Sequence, residues 1–353
     1  MHEAVTFLKD LIRFPSLSHQ EGPIADFVEG YVAAAGVEVG RHENNVYFWI
    51  GDGEDCLLLN SHLDVVPPSA HHPYDPFDPV EIDGKLYGRG TVDAKASGAT
   101  MAVALLELAR AGWQPEGGRV LVALTTCEEG GGMYNGLQDL RPHLPPIHAA
   151  IVGEPTLLQP CVSQKGLLIL KLHAHGTSTH AARAHLGDNA ILRAARDIHT
   201  LADFTFDRAD PFLGKPSLNV TIIEGGTAHN MIPDRCTLTV DIRSTPAYTH
   251  EEITAMVAEV VESEVEVYST RFIPVGTSLT ERIVRASEAA IPDAEPFGSP
   301  TASDWIFLHD VPTVKLGPGP SERSHTANEH IEIAEVERAV TVYKRIIQAY
   351  FEP

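Results

Sequence analysis

The segment Leu57 to Pro67, LLLNSHLDVVP, combines an apolar strand pattern with two residues that could do chemistry. Its apolar beginning predicts a short strand that is buried on both faces. Side chains two positions apart in a strand point to the same side, so His62 and Asp64 can face together beyond the strand end. One use of such a pair is an imidazole that binds a metal while a carboxylate orients it. Because His-x-Asp is a common pair, a plain polar turn is the alternative, and other residues must decide.

Acidic residues follow two further predicted strands at the point where each strand ends. The run Arg119 to Thr126 is followed within three residues by Glu128 and Glu129, and then by three glycines. The strand predicted at Ala149 to Val152 is followed by Glu154. Two adjacent carboxylates before a glycine run favour an active-site turn over a solvated loop. Because ligands bind α/β sheets beyond the carboxyl ends of the strands, we expect these side chains to meet there.

Two more candidates lie elsewhere in the chain. Asp93 lies at a turn before a helix predicted over Ala96 to Trp113, where an acid is usually only a helix cap. His325 follows a strand predicted near Thr313 to Leu316 and a glycine-proline turn.

These candidates form a set of nitrogen and oxygen donors of the kind that holds zinc, cobalt or manganese. The set comprises two imidazoles and three carboxylates: His62, Asp93, Glu129, Glu154 and His325. Five protein ligands are too many for one open catalytic zinc ion, but they suit two ions ~3.5–4 Å apart that share a carboxylate. The natural role of Glu128 is then a general base that moves a proton from water to a leaving nitrogen. Scattered surface acids are the alternative, and the placement of all five donors at strand ends or turns argues against it.

Strands that alternate with helices predict an α/β fold with a mostly parallel sheet. Residues 162–272 have a different pattern, in the order β-α-β-β-α-β, which is typical of a small open-faced sandwich. The sequence therefore predicts a catalytic domain in two parts, residues 1–161 and 273–353, with a second domain inserted at 162–272.

The segment from Pro67 to Tyr87 is rich in Pro, Asp and His. It is expected to be a loop without strands. A flexible loop is a poor place for a metal ligand, so His71 and His72 are predicted to be surface residues.

Composition narrows the classes of function. The 353 residues are 43% hydrophobic and 21% charged, which suits a sizeable core and two domains. A formal charge of -22 disfavours nucleic acid or an anionic membrane surface as a partner. Four cysteines without a CxxC pair suit a reduced interior, and no signal peptide or run of ~18 apolar residues is found, so a cytoplasmic protein is expected. A nucleotide-binding α/β protein is disfavoured because no GxGxxG or GxxxxGK[ST] follows a strand.

Five segments in order resemble the motifs of one enzyme family. SHLDVVP, GRGTVDAK, TTCEEGGG and GEPT match its four N-terminal motifs, and SHTANE matches the last. The family is that of the co-catalytic zinc amidohydrolases, which includes acetylornithine deacetylase, succinyl-diaminopimelate desuccinylase, aminoacylases and zinc carboxypeptidases with a dimerisation lid. The resemblance covers essentially the whole length and implies an α/β catalytic domain with residues 162–272 as the lid.

The resemblance also implies a role for each candidate at the site. His62 and Glu154 would bind one metal ion, Glu129 and His325 the other, Asp93 would bridge the two, Glu128 would be the general base, and Asp64 would orient His62. The two divalent ions would be zinc, for which cobalt or manganese can substitute. A cis peptide bond between Asp93 and Ala94 is implied as well.

Three lid residues are implied by the same resemblance. GTSTHAAR resembles the segment whose histidine, here His180, reaches the active site of the partner subunit in a homodimer and stabilises the oxyanion. GGTAHNMIPD and DIRST supply Asn230 and Arg243, which in relatives contact the oxyanion or carboxylate of the substrate. Arg243 could equally form an ion pair at a strand edge.

The motifs most resemble those of acetylornithine and acetyl-lysine deacetylases, which implies hydrolysis of an Nα-acylated basic amino acid. Two departures bear on the acyl group: Ala96 stands where a glycine is usual, and Pro320 where relatives often carry Asp. The alternatives are a dipeptidase, a carboxypeptidase, the diaminopimelate desuccinylase, or a hydrolase acting on an acidic aminoacyl carrier protein, which the charge of -22 disfavours. An inactive metal-binding scaffold is a further alternative, but such a protein would be expected to lose the base or a ligand.

Overall fold

The computed structural model describes residues 2–130 and 134–352, so Gly131 and Gly132 of the predicted active-site turn lie outside the described residues. The chain divides into two compact units. The first comprises Met1–Val162, Thr277–Phe297 and Ser303–Pro353, and the second comprises Ser163–Gly276 and Gly298–Ala302.

The described α-helices are, in chain order, α1 (Glu3–Ile12), α2 (Gly22–Ala34), α3 (Lys95–Arg110), α4 (Gly136–Leu140), α5 (Ala190–Ala202), α6 (His250–Val260), α7 (Arg282–Ala290) and α8 (Ile333–Phe351). The predicted helix at Ala96 to Trp113 corresponds to α3. It ends at Arg110, earlier than expected, because Gly112 has a positive φ of 72° and leaves the helical conformation.

The described strands are, in chain order, β1 (Glu38–His42), β2 (Asn45–Ile50), β3 (Asp55–His62), β4 (Val80–Ile82), β5 (Lys85–Tyr87), β6 (Gly118–Thr125), β7 (Ala149–Val152), β8 (Cys161–Gln164), β9 (Gly166–His175), β10 (Thr179–His180), β11 (Ser217–Gly225), β12 (Met231–Ile232), β13 (Arg235–Ser244), β14 (Glu264–Phe272), β15 (Val275–Gly276), β16 (Phe297–Ser299), β17 (Thr313–Lys315) and β18 (His330–Glu332).

The first unit is built on a sheet in which six strands follow one another in the order β1-β2-β6-β3-β7-β17. β3 is parallel to both β6 and β7, and β17 is parallel to β7, whereas β1 and β2 pair antiparallel at one side. The predicted α/β fold with a mostly parallel sheet is therefore confirmed. The carboxyl ends of the parallel strands lie at one edge, and candidate residues lie at or shortly after the ends of β3, β6 and β7.

Apolar residues of the sheet and of helices α1, α2, α3, α7 and α8 form one core in the first unit. β3 is buried along nearly its whole length, as expected for a strand covered on both faces. The helix α3 is buried through most of its turns and contacts both α1 and α8.

The expectation of a strand-free loop from Pro67 to Tyr87 is wrong. β4 and β5 form a hairpin, and β18 adds to it in a three-stranded sheet. Asp83 and Gly84 both have positive φ, so they form the kind of two-residue turn that Asp-Gly favours between strands. The Asp-Gly pair in VEIDGKLY is the sequence signal for this hairpin, but the Pro, Asp and His residues before it favour a loop.

The second unit contains a four-stranded antiparallel sheet in the order β11-β13-β9-β14. Its main elements follow the order β-α-β-β-α-β, from β9 and α5 to α6 and β14. Burial alternates along β9 and β13, so one face of these strands packs into a core with α5 and α6 and the other faces outward. A separate two-stranded sheet pairs β10 with β12.

Two findings bear on the environment of the chain. Among residues 2–130 and 134–352, every helix is too short or too polar to cross a lipid bilayer. All four cysteines are buried and none forms a disulfide.

Candidate active site

His62 is the last residue of β3, and its side chain is almost fully buried, with 1% exposed. Its Nδ1 lies 2.9 Å from the backbone carbonyl oxygen of Asp64. Because a carbonyl oxygen only accepts, Nδ1 carries a proton, so Nε2 is the ring nitrogen that can bind a metal ion. Nε2 lies 3.3 Å from Oδ1 of Asp93 and 3.8 Å from Oε1 of Glu154.

Asp93 lies between two imidazoles. Its Oδ1 faces His62, whereas its Oδ2 lies 3.2 Å from Nε2 of His325. The same nitrogen of His325 lies 2.8 Å from Oε1 of Glu129. The peptide bond between Asp93 and Ala94 is cis, as the resemblance implied. One carboxylate thus presents its two oxygens to two separate groups of donors.

The turn after β6 places Glu128 and Glu129 beside these groups. It begins at Cys127, a non-glycine residue with φ of 56°. The Asp64 carboxylate accepts the next two amide hydrogens, with Oδ1 3.1 Å from the nitrogen of Glu128 and Oδ2 3.0 Å from that of Glu129. Glu21 accepts the amide of Cys127 at 3.1 Å. Buried carboxylates therefore bind three successive amides of the turn.

Asp64 contacts both His62 and the turn that carries Glu128 and Glu129. Its backbone carbonyl accepts from His62, and its carboxylate, which is fully buried, lies 3.5 Å from the same imidazole. The carboxylate also accepts a hydrogen bond from Ser18 Oγ at 2.7 Å. The structure therefore gives Asp64 a second contact that the sequence did not indicate, the anchoring of the Glu128–Glu129 turn.

Glu154 follows β7 directly and enters the site from the opposite neighbour of β3 in the sheet. Gly153 makes this approach possible, since a Cβ there would lie 2.8 Å from side-chain atoms of both Met101 and Ser97. Burial and the nearby Asp93 carboxylate raise the pKa of Glu154 to about 8.

The cluster holds more carboxylates than imidazoles, and this shifts the pKa values of both kinds of group. Burial raises the pKa of Glu128 well above its usual range, and the Glu154 carboxylate adds to this. Burial would lower the pKa of His62, but its contacts with Asp64 and Asp93 raise it well above the ordinary value. Contacts with Asp93 and Glu129 raise the pKa of His325 to about 10. An acidic site that draws protons onto its own imidazoles is suited to a bound divalent cation.

The donor atoms fall into compact groups of three. Each group offers ligand atoms that all lie within 4.8 Å of one another: His62 with Asp93 and Glu154, Asp93 with Glu129 and His325, and His62 with Glu128 and Glu129. The first two groups share Asp93. Imidazole nitrogens and carboxylate oxygens in this arrangement fit two metal ions of the zinc type.

Several residues around the site were missed from the sequence. Glu21 directly precedes α2 and Glu329 is the last residue of the SHTANE segment, and both are buried. Asp304 is also buried, accepts a hydrogen bond from Asn135 Nδ2 at 2.7 Å, and has its pKa raised by burial to about 6. A Glu at a helix start looks like a cap in the sequence, and no local signal shows that its partner lies far along the chain.

The three predicted lid residues lie in the second unit. His180 is exposed, and its Nδ1 accepts the amide hydrogen of Ala182 at 3.0 Å. Nε2 of the neutral ring must then carry the proton and can donate. Asn230 directly precedes β12, in which Met231 pairs with His180, and its backbone carbonyl oxygen accepts the amide of Ala181 at 2.9 Å. Arg243 forms an ion pair with Asp241, with distances of 2.9 Å and 3.1 Å.

Comparisons with known proteins agree on one family. The sequence model described as Peptidase family M20/M25/M40 matches residues 58–349. The chain is 29% identical to a succinyl-diaminopimelate desuccinylase of Dinoroseobacter shibae, over 99% of this chain and 100% of that protein. It is also 29% identical to a probable carboxypeptidase of Aspergillus flavus, over 98% of this chain and 90% of that protein.

A solved structure shows the same fold. The YXEP protein of Bacillus subtilis, described as a dinuclear metal binding peptidase, superimposes with a TM-score of 0.72 at 14% sequence identity. The superposition covers 98% of this chain and 96% of that one.

Proposed function

Because the chain belongs to the peptidase family M20/M25/M40, it is a hydrolase, and we propose that it uses two divalent metal ions to cleave the amide of an Nα-acylated amino acid. The observation that carries this proposal is the Asp93 carboxylate, whose two oxygens face the imidazoles of His62 and His325 separately. A carboxylate in this position is what two ions that share a ligand require.

The ligands follow from the two groups that share Asp93. His62 and Glu154 would hold one ion, Glu129 and His325 the other, and Asp93 both. The ions would be zinc, with cobalt or manganese as substitutes, because the donors are nitrogen and oxygen without thiolate. When bound, they would supply Lewis-acid activation of water and of the substrate carbonyl.

Glu128 would move the proton. A carboxylate oxygen of Glu128 lies within 4.8 Å of donor atoms of His62 and Glu129, one residue from each proposed ligand set. It would take one proton from the attacking water and give it to the leaving nitrogen as the carbon–nitrogen bond breaks. The products are the carboxylate of the acyl group and the free amine. Burial raises the pKa of this carboxyl, which makes it a better proton acceptor than an exposed one.

The lid would complete the site in a homodimer. His180 presents an Nε2–H donor because its Nδ1 accepts the amide of Ala182, and such a donor could stabilise the oxyanion formed on the substrate. Asn230 would contribute beside it. The strand β11 at the edge of the lid sheet supports pairing with a second copy, since Ile222 and Ile223 there are 51% and 53% exposed.

We place the substrate among Nα-acylated basic amino acids of the acetylornithine or acetyl-lysine type, on the motif resemblance. Arg243 is a candidate for the substrate carboxylate. Its ion pair with Asp241 would have to open or be shared for that contact.

A second candidate is favoured by the relatives. Succinyl-diaminopimelate desuccinylase and probable carboxypeptidase are the names of two relatives at 29% identity, and both names denote hydrolysis of an amide bond. The residues of the metal groups fit either reaction, so the acyl group must be determined by experiment.

The experiment is a measurement of amine release by zinc- or cobalt-loaded protein from a panel of substrates. The panel contains Nα-acetyl-ornithine, Nα-acetyl-lysine, N-succinyl-diaminopimelate and several dipeptides. Fastest cleavage of an acetylated basic amino acid, sensitive to chelator, is the expected result. Preference for the succinyl substrate or for dipeptides would change the proposed substrate but leave the proposed metal site unchanged. No cleavage of any panel substrate by protein that holds two ions would contradict the proposed activity.

A further inference from the structure

Glu329 is a buried carboxylate that belongs to neither group of proposed ligands. It lies four residues beyond His325 and is only 2% exposed. Its Oε1 accepts the amide hydrogens of Val92 at 2.9 Å and of Asp93 at 3.2 Å. Glu329 therefore holds the backbone of the residue whose carboxylate faces both imidazoles.

The other oxygen of Glu329 is held by a buried cation. Oε2 accepts a hydrogen bond from Nη1 of Arg89 at 2.6 Å, and Arg89 is 1% exposed. The backbone amide of Arg89 donates to the carbonyl oxygen of Pro76 at 2.8 Å, and its Nη2 lies 3.3 Å from Nε2 of His72. Since Arg89 is fixed on the far side, the Glu329 carboxylate has little freedom to move away from the Asp93 turn.

We propose that Glu329 is a positioning residue for metal binding, which fixes Asp93 relative to His325 so that both oxygens of the Asp93 carboxylate meet the ions. This inference rests on the proposed function. The turn that carries Asp93 has no side-chain cap of its own at Ala94, the residue before α3. Without Glu329, the buried amides of Val92 and Asp93 would lose their acceptor, and the turn would shift to find another.

The position of Glu329 in the chain makes it a link between two ligands. His325 and Glu329 lie on one short segment. Asp93 lies on another, 236 positions before Glu329. His325 has φ of 61°, a conformation that neighbouring contacts must maintain. A hydrogen bond from the Asp93 amide to Glu329 therefore fixes the distance between the two segments that supply ligands.

The test compares Glu329→Gln with a matched variant in the second unit, Asp197→Asn. Asp197 is also buried and accepts two backbone amides, those of Glu262 at 2.8 Å and Ser263 at 3.1 Å, but it has no part in the site. In Glu329→Gln, the side-chain oxygen can serve either Arg89 or the amides, and the NH₂ group then faces a donor. Both variants should be less stable than wild type, but only Glu329→Gln should bind metal more weakly.

The readout is titration of the metal-free protein with Co²⁺, followed by visible absorption, with the folded fraction checked by circular dichroism. Glu329→Gln should bind Co²⁺ about 10–100-fold more weakly than wild type, which is the usual effect of removing a group that orients a ligand. Asp197→Asn should stay within about twofold. Wild-type affinity in folded Glu329→Gln would overturn the inference, and so would an equal loss in Asp197→Asn.

A second variant covers the case in which Glu329→Gln does not fold. Glu329→Asp keeps the charge beside Arg89, but its side chain is one methylene shorter and cannot reach Arg89 and both amides together. The same weakening is expected, and wild-type affinity would overturn the inference. If wild-type protein itself binds no Co²⁺, the metal site of the proposed function fails, and the positioning role fails with it.

Discussion

Charged side chains are buried and bound to backbone amides in the first unit, whereas the candidate site residues of the second unit are exposed. Asp64 and Glu329 each accept two amide hydrogens in the interior of the first unit. His180 and Arg243 lie at the surface of the second. Burying charge is costly unless it is paired, so the first arrangement requires an explanation and the second does not.

Asp197 shows that a buried carboxylate alone does not make a site. It accepts two amides in the second unit just as Asp64 does in the first. What distinguishes the first unit is the excess of acid around two imidazoles, with groups of donors close enough to share a cation. The comparison therefore predicts large functional effects in the first unit. In the second unit it predicts effects on stability alone, apart from the proposed lid residues His180, Asn230 and Arg243.

Removal of metal should have the largest effect. Treatment with a chelator should reduce amide hydrolysis to background, and Zn²⁺ should restore it. The reason is that the proposed ions would supply the Lewis acid that activates water. Metal should also stabilise the folded chain, by about 2.7 kcal/mol at a free concentration 100 times the dissociation constant. Amine release and urea unfolding with and without Zn²⁺ measure both effects. Full activity in protein shown to be metal-free would contradict the account.

His180→Ala tests whether an exposed residue of the second unit contributes to the chemistry. If its Nε2–H stabilises the oxyanion, kcat should fall about 10²–10³-fold while metal content stays unchanged. His175→Ala is the matched control, since His175 is an exposed histidine of the same unit that contacts Glu264 at 3.2 Å. Equal kcat values for the two variants would remove His180 from the proposal.

Asp64→Asn tests whether a buried carboxylate of the first unit positions the metal ligands. The asparagine amide would place a donor against one of the amides of Glu128 and Glu129, so the turn that presents both residues should move. Metal affinity should fall about 10–100-fold, measured by equilibrium dialysis. Asp139→Asn, which removes a partly buried acid paired with His42, serves as the control. Unchanged affinity in Asp64→Asn would mean that the turn is held by other contacts.

The smallest effect concerns the stability of the second unit. Burial lowers the pKa of His250, whose Nε2 lies 2.8 Å from Ser244 Oγ. The unfolded chain then takes up a proton near pH 6.5 before the folded chain does, so stability falls as the pH drops below that value. The slope from this one group is at most about 1.4 kcal/mol per pH unit. His250→Gln should flatten the pH dependence of urea unfolding below pH 6.5, and an unchanged slope would contradict this.

The sequence was informative where apolar strands stop at polar residues. The strand predicted at Ala149 to Val152 has those bounds in the structure, and Glu154 follows it into the site. His62, Glu128 and Glu129 show the same pattern, because each lies at the end of a buried strand or shortly after it. The fold class followed from the alternation of such strands with helices.

Contacts between distant segments could not be predicted in this way. Glu329 binds amides at Val92 and Asp93, and Glu21 binds that of Cys127, yet none of these pairs leaves a local signature. The hairpin of β4 and β5 was missed for a different reason. Its Asp-Gly turn is a recognisable signal, but the segment before it is rich in Pro, Asp and His, which favoured a loop.

The most direct test of the account is a count of metal ions and a turnover number from one sample of Glu128→Ala. Glu128 is proposed to carry the proton and not to hold an ion, so the variant should keep two ions per chain. Its kcat should fall about 10²–10⁴-fold, the usual contribution of a general base. Wild-type turnover in a variant that retains both ions would contradict the proposed mechanism.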